Sequence, residues 1–269
     1  MTTTEVIRVS PEWLDLREAA DAAARSRELV DELRHLAPAN GRWSIHDLAC
    51  GTGSMGRWLA PLLPGPQHWV LHDRDADLLA LASVRAPAAD VTIDTRLSDV
   101  TRLDPEDLAG ATLVTASALL DLLTWDELTR LILACARASC PLLLTLSVTG
   151  RVQLLPPDPL DGRAAAAFNA HQRRRTQRGR LLGPEAVEAT VEGFRALGAE
   201  VVVHPSPWRL GGAESDLAAE WLTGWLGAAC AQEPALAPAA DLYRHRRLSE
   251  AAAGALSVTV GHVDLLVLP

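Results

Sequence analysis

Hydrophobic positions along the chain switch between two periods. Trp13, Leu14 and Leu16, then an alanine-rich stretch, then Leu29, Val30 and Leu33 predict one helix over 11–36. Pro38-Ala39-Asn40-Gly41 breaks it. From there short apolar runs alternate with helical patterns. Strands are expected at 44–49, 68–72, 91–97, 111–116, 142–148, 200–204 and 256–268. Helices are expected at 54–63, 75–84, 124–138, 163–177, 184–197, 216–230 and 242–253. Thr124 with Glu127 three residues on reads as a capping box, Pro184 as a first helical residue, and Pro87 as a helix stop. The alternation predicts an α/β fold with a doubly wound, mainly parallel sheet.

Ligands of such sheets bind at the carboxyl ends of the strands. Here that means Cys50–Gly53, Asp73, Ser98–Asp99, Ser117–Asp121 and Thr149–Arg151, which are expected to form one pocket. Three further pieces surround the sheet. Residues 1–40 form an N-terminal helical cap, frayed over 1–10, in which Arg17 and Arg25 are expected on one helix face. Residues 151–183, with Pro156-Pro157-Asp158-Pro159, are too long for a tight connection and read as a lid or substrate insertion. Residues 206–255 add a helical layer, whose Trp221, Leu222 and Trp225 read as core.

Composition narrows the function classes. The chain has 269 residues, a formal net charge of −9 and no lysine, which disfavours nucleic acid as a partner. No apolar run reaches membrane-spanning length and no signal-type N-terminus is evident, so the cytoplasm is the expected compartment and no membrane partner is expected. Cys50, Cys135, Cys140 and Cys230 form no metal-binding spacing, and no metal is expected.

The chemistry centres on Asp47-Leu48-Ala49-Cys50-Gly51-Thr52-Gly53-Ser54-Met55-Gly56, a strand, a glycine turn and a helix start. Glycines let backbone approach a ligand and a helix N-terminus offers free N–H groups. Gly51 to Gly56 fits G-x-G-x-x-G, and Asp73 lies where a dinucleotide site has its ribose acid. The longer string from Asp47 to Gly53 resembles motif I of class I S-adenosylmethionine (SAM)-dependent methyltransferases, with Ala49 where that family usually has glycine. His72-Asp73-Arg74 and Leu97-Ser98-Asp99-Val100 are similar to its next two motifs, and Ser117–Asp121 follows in register. A nicotinamide enzyme asks for neither Asp47 nor Asp99.

The resemblance covers 43–148 and implies a seven-stranded sheet with an antiparallel last strand, a methyltransferase domain over 41–269, and SAM as cofactor, leaving S-adenosylhomocysteine. It assigns Asp47, Ala49, Cys50, Gly51 and Gly53 to the cofactor loop, Asp73 to the ribose, and Arg74, Ser98, Asp99 and Val100 to the adenine. Ser117 would line the methionine end and Arg25 would reach its carboxylate. His171, beside Asn169 and Gln172, is the first candidate base, Asp121 the second, with His204 weaker; the Arg173-Arg174-Arg175 run reads as a solvated face or an acidic-substrate contact. His46 reads as a packed histidine. The expected reaction is methyl transfer to an O, C or N atom of a small molecule. A SAM-binding protein that does not methylate, or an NAD(P)-dependent oxidoreductase, are the alternatives; a homodimer is left open.

Overall fold

The structure, a computed structural model, describes residues 9–39, 41–85 and 91–269. Pro87 and the first eight residues of the 1–10 stretch, where fraying is expected, lie outside the described residues. Two helices, α1 (Pro11–Ala24) and α2 (Arg27–Arg34), precede β1 (Trp43–Leu48), α3 (Ser54–Leu59), β2 (Gln67–Asp73), α4 (Ala76–Val84) and β3 (Val91–Leu97). Then come β4 (Leu113–Ser117), α5 (Trp125–Ala138), β5 (Leu142–Leu155), α6 (Asp161–Gln172), and a small hairpin of β6 (Arg175–Thr176) and β7 (Gly179–Arg180). The chain ends with α7 (Ala186–Ala196), β8 (Glu200–Pro205), β9 (Trp208–Leu210), α8 (Ser215–Gln232), α9 (Ala237–Ala252) and β10 (Ser257–Leu268).

The sheet order is β3-β2-β1-β4-β5-β10-β8. The pairs among β1 to β5 are parallel, and β10 runs antiparallel between β5 and β8. This is the predicted doubly wound sheet with an antiparallel last strand. The sequence does not lead one to expect β9, which pairs with the start of β10 and makes an eighth strand of this sheet, nor the β6–β7 hairpin, which takes the place of the last residues of the helix expected over 163–177, since α6 ends at Gln172. Trp43, Ile45 and Leu48 put β1 in the middle of the core, each essentially without solvent. Burying a side chain of that size contributes roughly 1.5–3 kcal/mol. Helices α5 and α7 cover one face of the sheet; α2, α3 and α4 pack on the other. A separate apolar cluster joins α6, α8, α9 and β9, with Trp13 of α1 against it.

Three expectations change. The helix over 11–36 is two helices, because Arg25 is extended (ψ 136°) and Ser26 caps α2 by accepting from the Leu29 N–H at 3.3 Å. Arg17 and Arg25 therefore do not share a helix face. Strand β5 runs on to Leu155 because β10 pairs with it along that length, so 151–155 is sheet and the irregular insertion begins after it. Third, α9 starts at Ala237, earlier than the predicted 242. The Thr124–Glu127 capping box is present, with the Thr124 N–H donating to Glu127 Oε2 at 2.9 Å and the Glu127 N–H to Thr124 Oγ1 at 3.3 Å.

Candidate active site

A cavity of about 610 Å³ opens at the carboxyl ends of β1, β2, β3, β4 and β5. Its floor is the strand-end set from the sequence: Asp47, Ala49, Cys50, Gly51, Asp73, Arg74, Ser98, Asp99, Val100, Ser117 and Asp121 all line it. Thr149–Arg151 do not, because β5 continues past them; Leu146 and Val148 line it instead. Gly53 lies just behind the wall as the N-cap of α3, with φ +84°.

The loop after β1 is built from left-handed backbone. Gly51 has φ +55° and Ala49 φ +53°. Such a conformation costs a non-glycine residue about 1–2 kcal/mol, which gives a physical reason for glycine at the Ala49 position in related motifs. Ala118 (φ +51°) after β4 and Leu146 (φ +56°) within β5 repeat this, so two strand ends and one strand interior around the cavity carry strained backbone. Asp73 ties two of the loops together: it accepts from the Gly51 N–H at 2.8 Å and from the Asp75 N–H at 3.0 Å. Asp99 caps the turn after β3, accepting from the Thr101 N–H (3.0 Å) and hydroxyl (2.8 Å) with one oxygen. Burial pushes its pKa up, but these hydrogen bonds outweigh it and the net direction is down. Ser98 is held by a histidine pair: His46 Nδ1 lies 3.1 Å from His72 Nε2, and His72 Nδ1 3.2 Å from Ser98 Oγ. Burial lowers both rings to about 4, so they are neutral packing groups.

Two buried groups near this floor lack partners. Asp47 accepts from Thr115 Oγ1 at 2.7 Å through one oxygen, and its other oxygen is buried without a hydrogen bond. Burial raises its pKa to about 7, opposed by the Thr115 hydrogen bond and the nearby Arg25. Arg25 donates through Nη2 to Ser117 Oγ (3.1 Å) and Ser54 Oγ (3.3 Å), while Nε and Nη1 are buried and unpaired. Burial pulls its pKa down against the fields of Asp21 and Asp264. Leaving such groups unsatisfied costs roughly 1–3 kcal/mol each. The break between α1 and α2 puts Arg25 there, and Asp264 of β10 holds the break. It accepts from the Ser26 N–H (2.8 Å), the Leu146 N–H (2.8 Å) and the Ser206 hydroxyl (2.6 Å). Nothing in the sequence marks Asp264, whose partners lie in three distant segments.

Away from the floor the walls change character. Trp13, Phe168, Trp208, Trp221 and His262 line the cavity from α1, α6, β9, α8 and β10. Trp221 is thus cavity wall as well as core neighbour, stacking on the buried Trp225 with centroids 5.3 Å apart. Arg17 pairs with Asp21 at 2.9 Å and lies over Trp208, 4.8 Å from its ring centre. Trp208 Nε1 donates to the same Asp21 at 2.9 Å. Asp121 faces this side, and burial raises its pKa to about 6. His171 does not line the cavity, although Phe168 and Gln172 of the same helix do. His204 lies 3.3 Å from Ser26 Oγ, outside the lining. Arg173 pairs with Glu185 and Arg174 donates to the His171 carbonyl, so both make local contacts around the end of α6. Among the described residues, no group of three or more His, Cys, Asp or Glu side chains could hold a metal ion.

Residues 45–141 match a family model described as a methyltransferase domain. That span runs from β1 to the start of β5 and carries four of the five strand ends that floor the cavity. This stretch is similar to a methyltransferase domain, and it carries the parallel half of the sheet that floors the cavity. Among solved structures, the chain is similar to a cyclopropane synthase from Mycobacterium tuberculosis at 13% identity, over 95% of this chain and 94% of that chain, with a TM-score of 0.50. It is also similar to a SAM-dependent methyltransferase from Geobacter sulfurreducens in complex with S-adenosyl-L-homocysteine, at 15% identity over 97% and 98% of the two chains, with a TM-score of 0.46. At these identities the likeness is one of fold. No protein of curated function matches the chain in sequence. Within the matched span the floor residues all lie on one wall, while the aromatic wall comes from segments outside it.

Proposed function

We propose that the chain binds SAM at the floor of this cavity and transfers its methyl group to an O, C or N atom of a small molecule. One observation carries the reading. A carboxylate oxygen of Asp47 and two guanidinium N–H positions of Arg25 are buried beside the strand ends without partners. An amino acid end group supplies what they lack: an ammonium for Asp47 and a carboxylate for Arg25. A nicotinamide dinucleotide has no such end group. Asp73 keeps a second lone pair on each oxygen for a ribose diol, and the oxygen of Asp99 not used by Thr101 suits an adenine amino group.

Bound SAM supplies a methyl group on a sulfonium, open to in-line displacement. The protein's own part is to align the acceptor and keep water out, which in favourable cases supplies roughly 7–11 kcal/mol. The cavity must hold donor and acceptor together, and its volume of about 610 Å³ favours a small acceptor. The acidic net charge of −9 disfavours nucleic acid. Among the described residues, no helix is long and apolar enough to cross a membrane; the cytoplasm is the proposed compartment. We assign the segment after β5 up to 183 to the cover over the acceptor, through Phe168 and Gln172.

Calorimetric titration tests the reading. Saturable SAM and S-adenosylhomocysteine binding with no NADPH binding is expected. NADPH binding without SAM binding would replace the proposal with an oxidoreductase. SAM binding without methyl transfer to any of a broad acceptor panel would favour a non-methylating SAM-binding protein.

A further inference from the structure

His262 has a position that its sequence context does not advertise. It follows Gly261 at a bulge in β10, where the pairing with β5 shifts register between Val260 and His262. Bulges re-aim side chains, often beside active sites. A Cβ on Gly261 would collide with Thr149 Oγ1 and press on Arg151, so the glycine lets the two strands close up at the bulge. The His262 ring is turned into the cavity, 5.4 Å from the Trp208 ring centre. It is 6% exposed, and Nδ1 is buried without a hydrogen-bond partner. Burial, with the Arg17 charge nearby, lowers its pKa to about 3, and the Val260 carbonyl opposes this only weakly. The ring is therefore neutral before any ligand binds.

The walls around it select by shape and charge. Trp13, Trp208, Trp221 and Phe168 present flat apolar surface, and Trp13 and Trp208 lie 6.4 Å apart at 57°. Such surfaces suit a flat ring. An aromatic box can also hold an ammonium, but Arg17 already lies over Trp208 and within 5.9 Å of the Trp13 ring centre. Those ring faces are already taken by a cation. Gln172 adds a buried, unpaired Oε1 at the rim, an acceptor for a polar substituent.

We propose that this half of the cavity is an acceptor site for a planar aromatic hydroxyl compound, and that His262 is the catalytic residue that takes the hydroxyl proton. The inference rests on the SAM reading above. The acceptor oxygen bonds to the methyl carbon as the carbon–sulfur bond breaks with its electron pair left on sulfur. The hydroxyl proton passes to His262, which releases it to water as the product leaves. Positive charge is lost from sulfur as it arrives on the imidazole, so the step leaves the net charge of the site unchanged, with Arg17 balanced by Asp21. A neutral amine acceptor needs no proton removed before attack, so the unpartnered histidine points to a hydroxyl.

Two experiments test this with 2-naphthol as probe. The first reads tryptophan fluorescence of the S-adenosylhomocysteine complex. We expect saturable quenching by 2-naphthol, with the saturated decahydro-2-naphthol at least about tenfold weaker. Equal binding of both, or no binding of 2-naphthol, overturns the aromatic site. The second compares wild type and His262→Gln in methyl transfer from SAM. The variant should lose about 10²–10⁴-fold with 2-naphthol, and much less with 4-nitrophenol at a pH where it is already ionised. An equal loss with both phenols, or no loss, removes His262 as base. SAM titration of the variant checks folding. If SAM fails to bind wild type, the proposed function fails; if SAM binds and 2-naphthol does not, only this inference does.

Discussion

The two halves of the cavity are built on different terms. The floor is polar, strained and partly unsatisfied: three left-handed non-glycine residues and an orphan Asp47 oxygen, with Arg25 behind the lining residues Ser54 and Ser117 and two of its nitrogens unpaired. In the aromatic wall the unpaired atoms are His262 Nδ1 and Gln172 Oε1, and the rings between them are tied into the fold. Arg17, Asp21 and Trp208 close on one another through an ion pair, a hydrogen bond and a ring face. The floor spends stability to stay ready for a ligand, as functional sites do. The wall contributes stability of its own, because its rings double as the link between the α8 layer and the sheet.

This contrast can be broken by substitution. The largest effect is expected at Trp208, which is buried and packs against Trp13, His262 and Arg17. Trp208→Ala should cost about 3–5 kcal/mol in chemical denaturation; a loss under about 1 kcal/mol would mean the wall is not a structural element.

Arg25→Met sharpens the opposite half. It should weaken SAM binding by about 1.5–3 kcal/mol, the size of a charged hydrogen bond lost. The ligand-free protein should be no less stable, because a buried charge with idle donors is removed. A variant that unfolds more easily while binding SAM normally would reverse the roles assigned here.

Protonation of Asp47 offers a smaller effect. Its pKa without ligand is about 7, and an ammonium partner favours the ionised form, so binding lowers it. SAM affinity should therefore be full above pH 7 and fall by up to about tenfold per unit below it, a tenfold change being about 1.4 kcal/mol. Asp47→Asn should flatten that slope between pH 7 and 5; a slope that survives would point to another group.

The smallest effect is at Ala49. With φ +53° it gains from glycine, and Ala49→Gly should stabilise the protein by about 0.5–1 kcal/mol after glycine's own entropy cost. A drop in thermal midpoint would show that the strain estimate has the wrong sign.

The same division governs what could be read from the chain. The floor was legible because each of its residues sits at the end of its own strand, and strand ends follow from apolar runs and the turns after them. Asp47, Asp73 and Asp99 are each within a few residues of a glycine or a turn that marks their place. The wall was not legible. Trp13, Phe168, Trp208, Trp221 and His262 are far apart in the chain, and only β10 inserting antiparallel beside β5, with β9 added to its start, brings them together. His171 drew attention because it stands beside polar neighbours, yet the α6 face that reaches the cavity carries Phe168 and Gln172. His262 sits inside a strand pattern that does not show the bulge at Gly261, and it is the bulge that re-aims its ring. Arg25 stands behind Ser54 and Ser117 of the lining for a reason the chain does not display: a helix break held by Asp264 positions it, not a helix face shared with Arg17.

The central claim is that Asp47 and Arg25 form a receptor for the amino acid end of the donor. Paired titrations with S-adenosylhomocysteine and 5′-methylthioadenosine, which lacks that end, test it most directly. In wild type the first should bind at least about tenfold tighter, or 1.4 kcal/mol, and in Arg25→Met the two should bind almost alike. An undiminished preference in Arg25→Met, or none in wild type, would contradict the account.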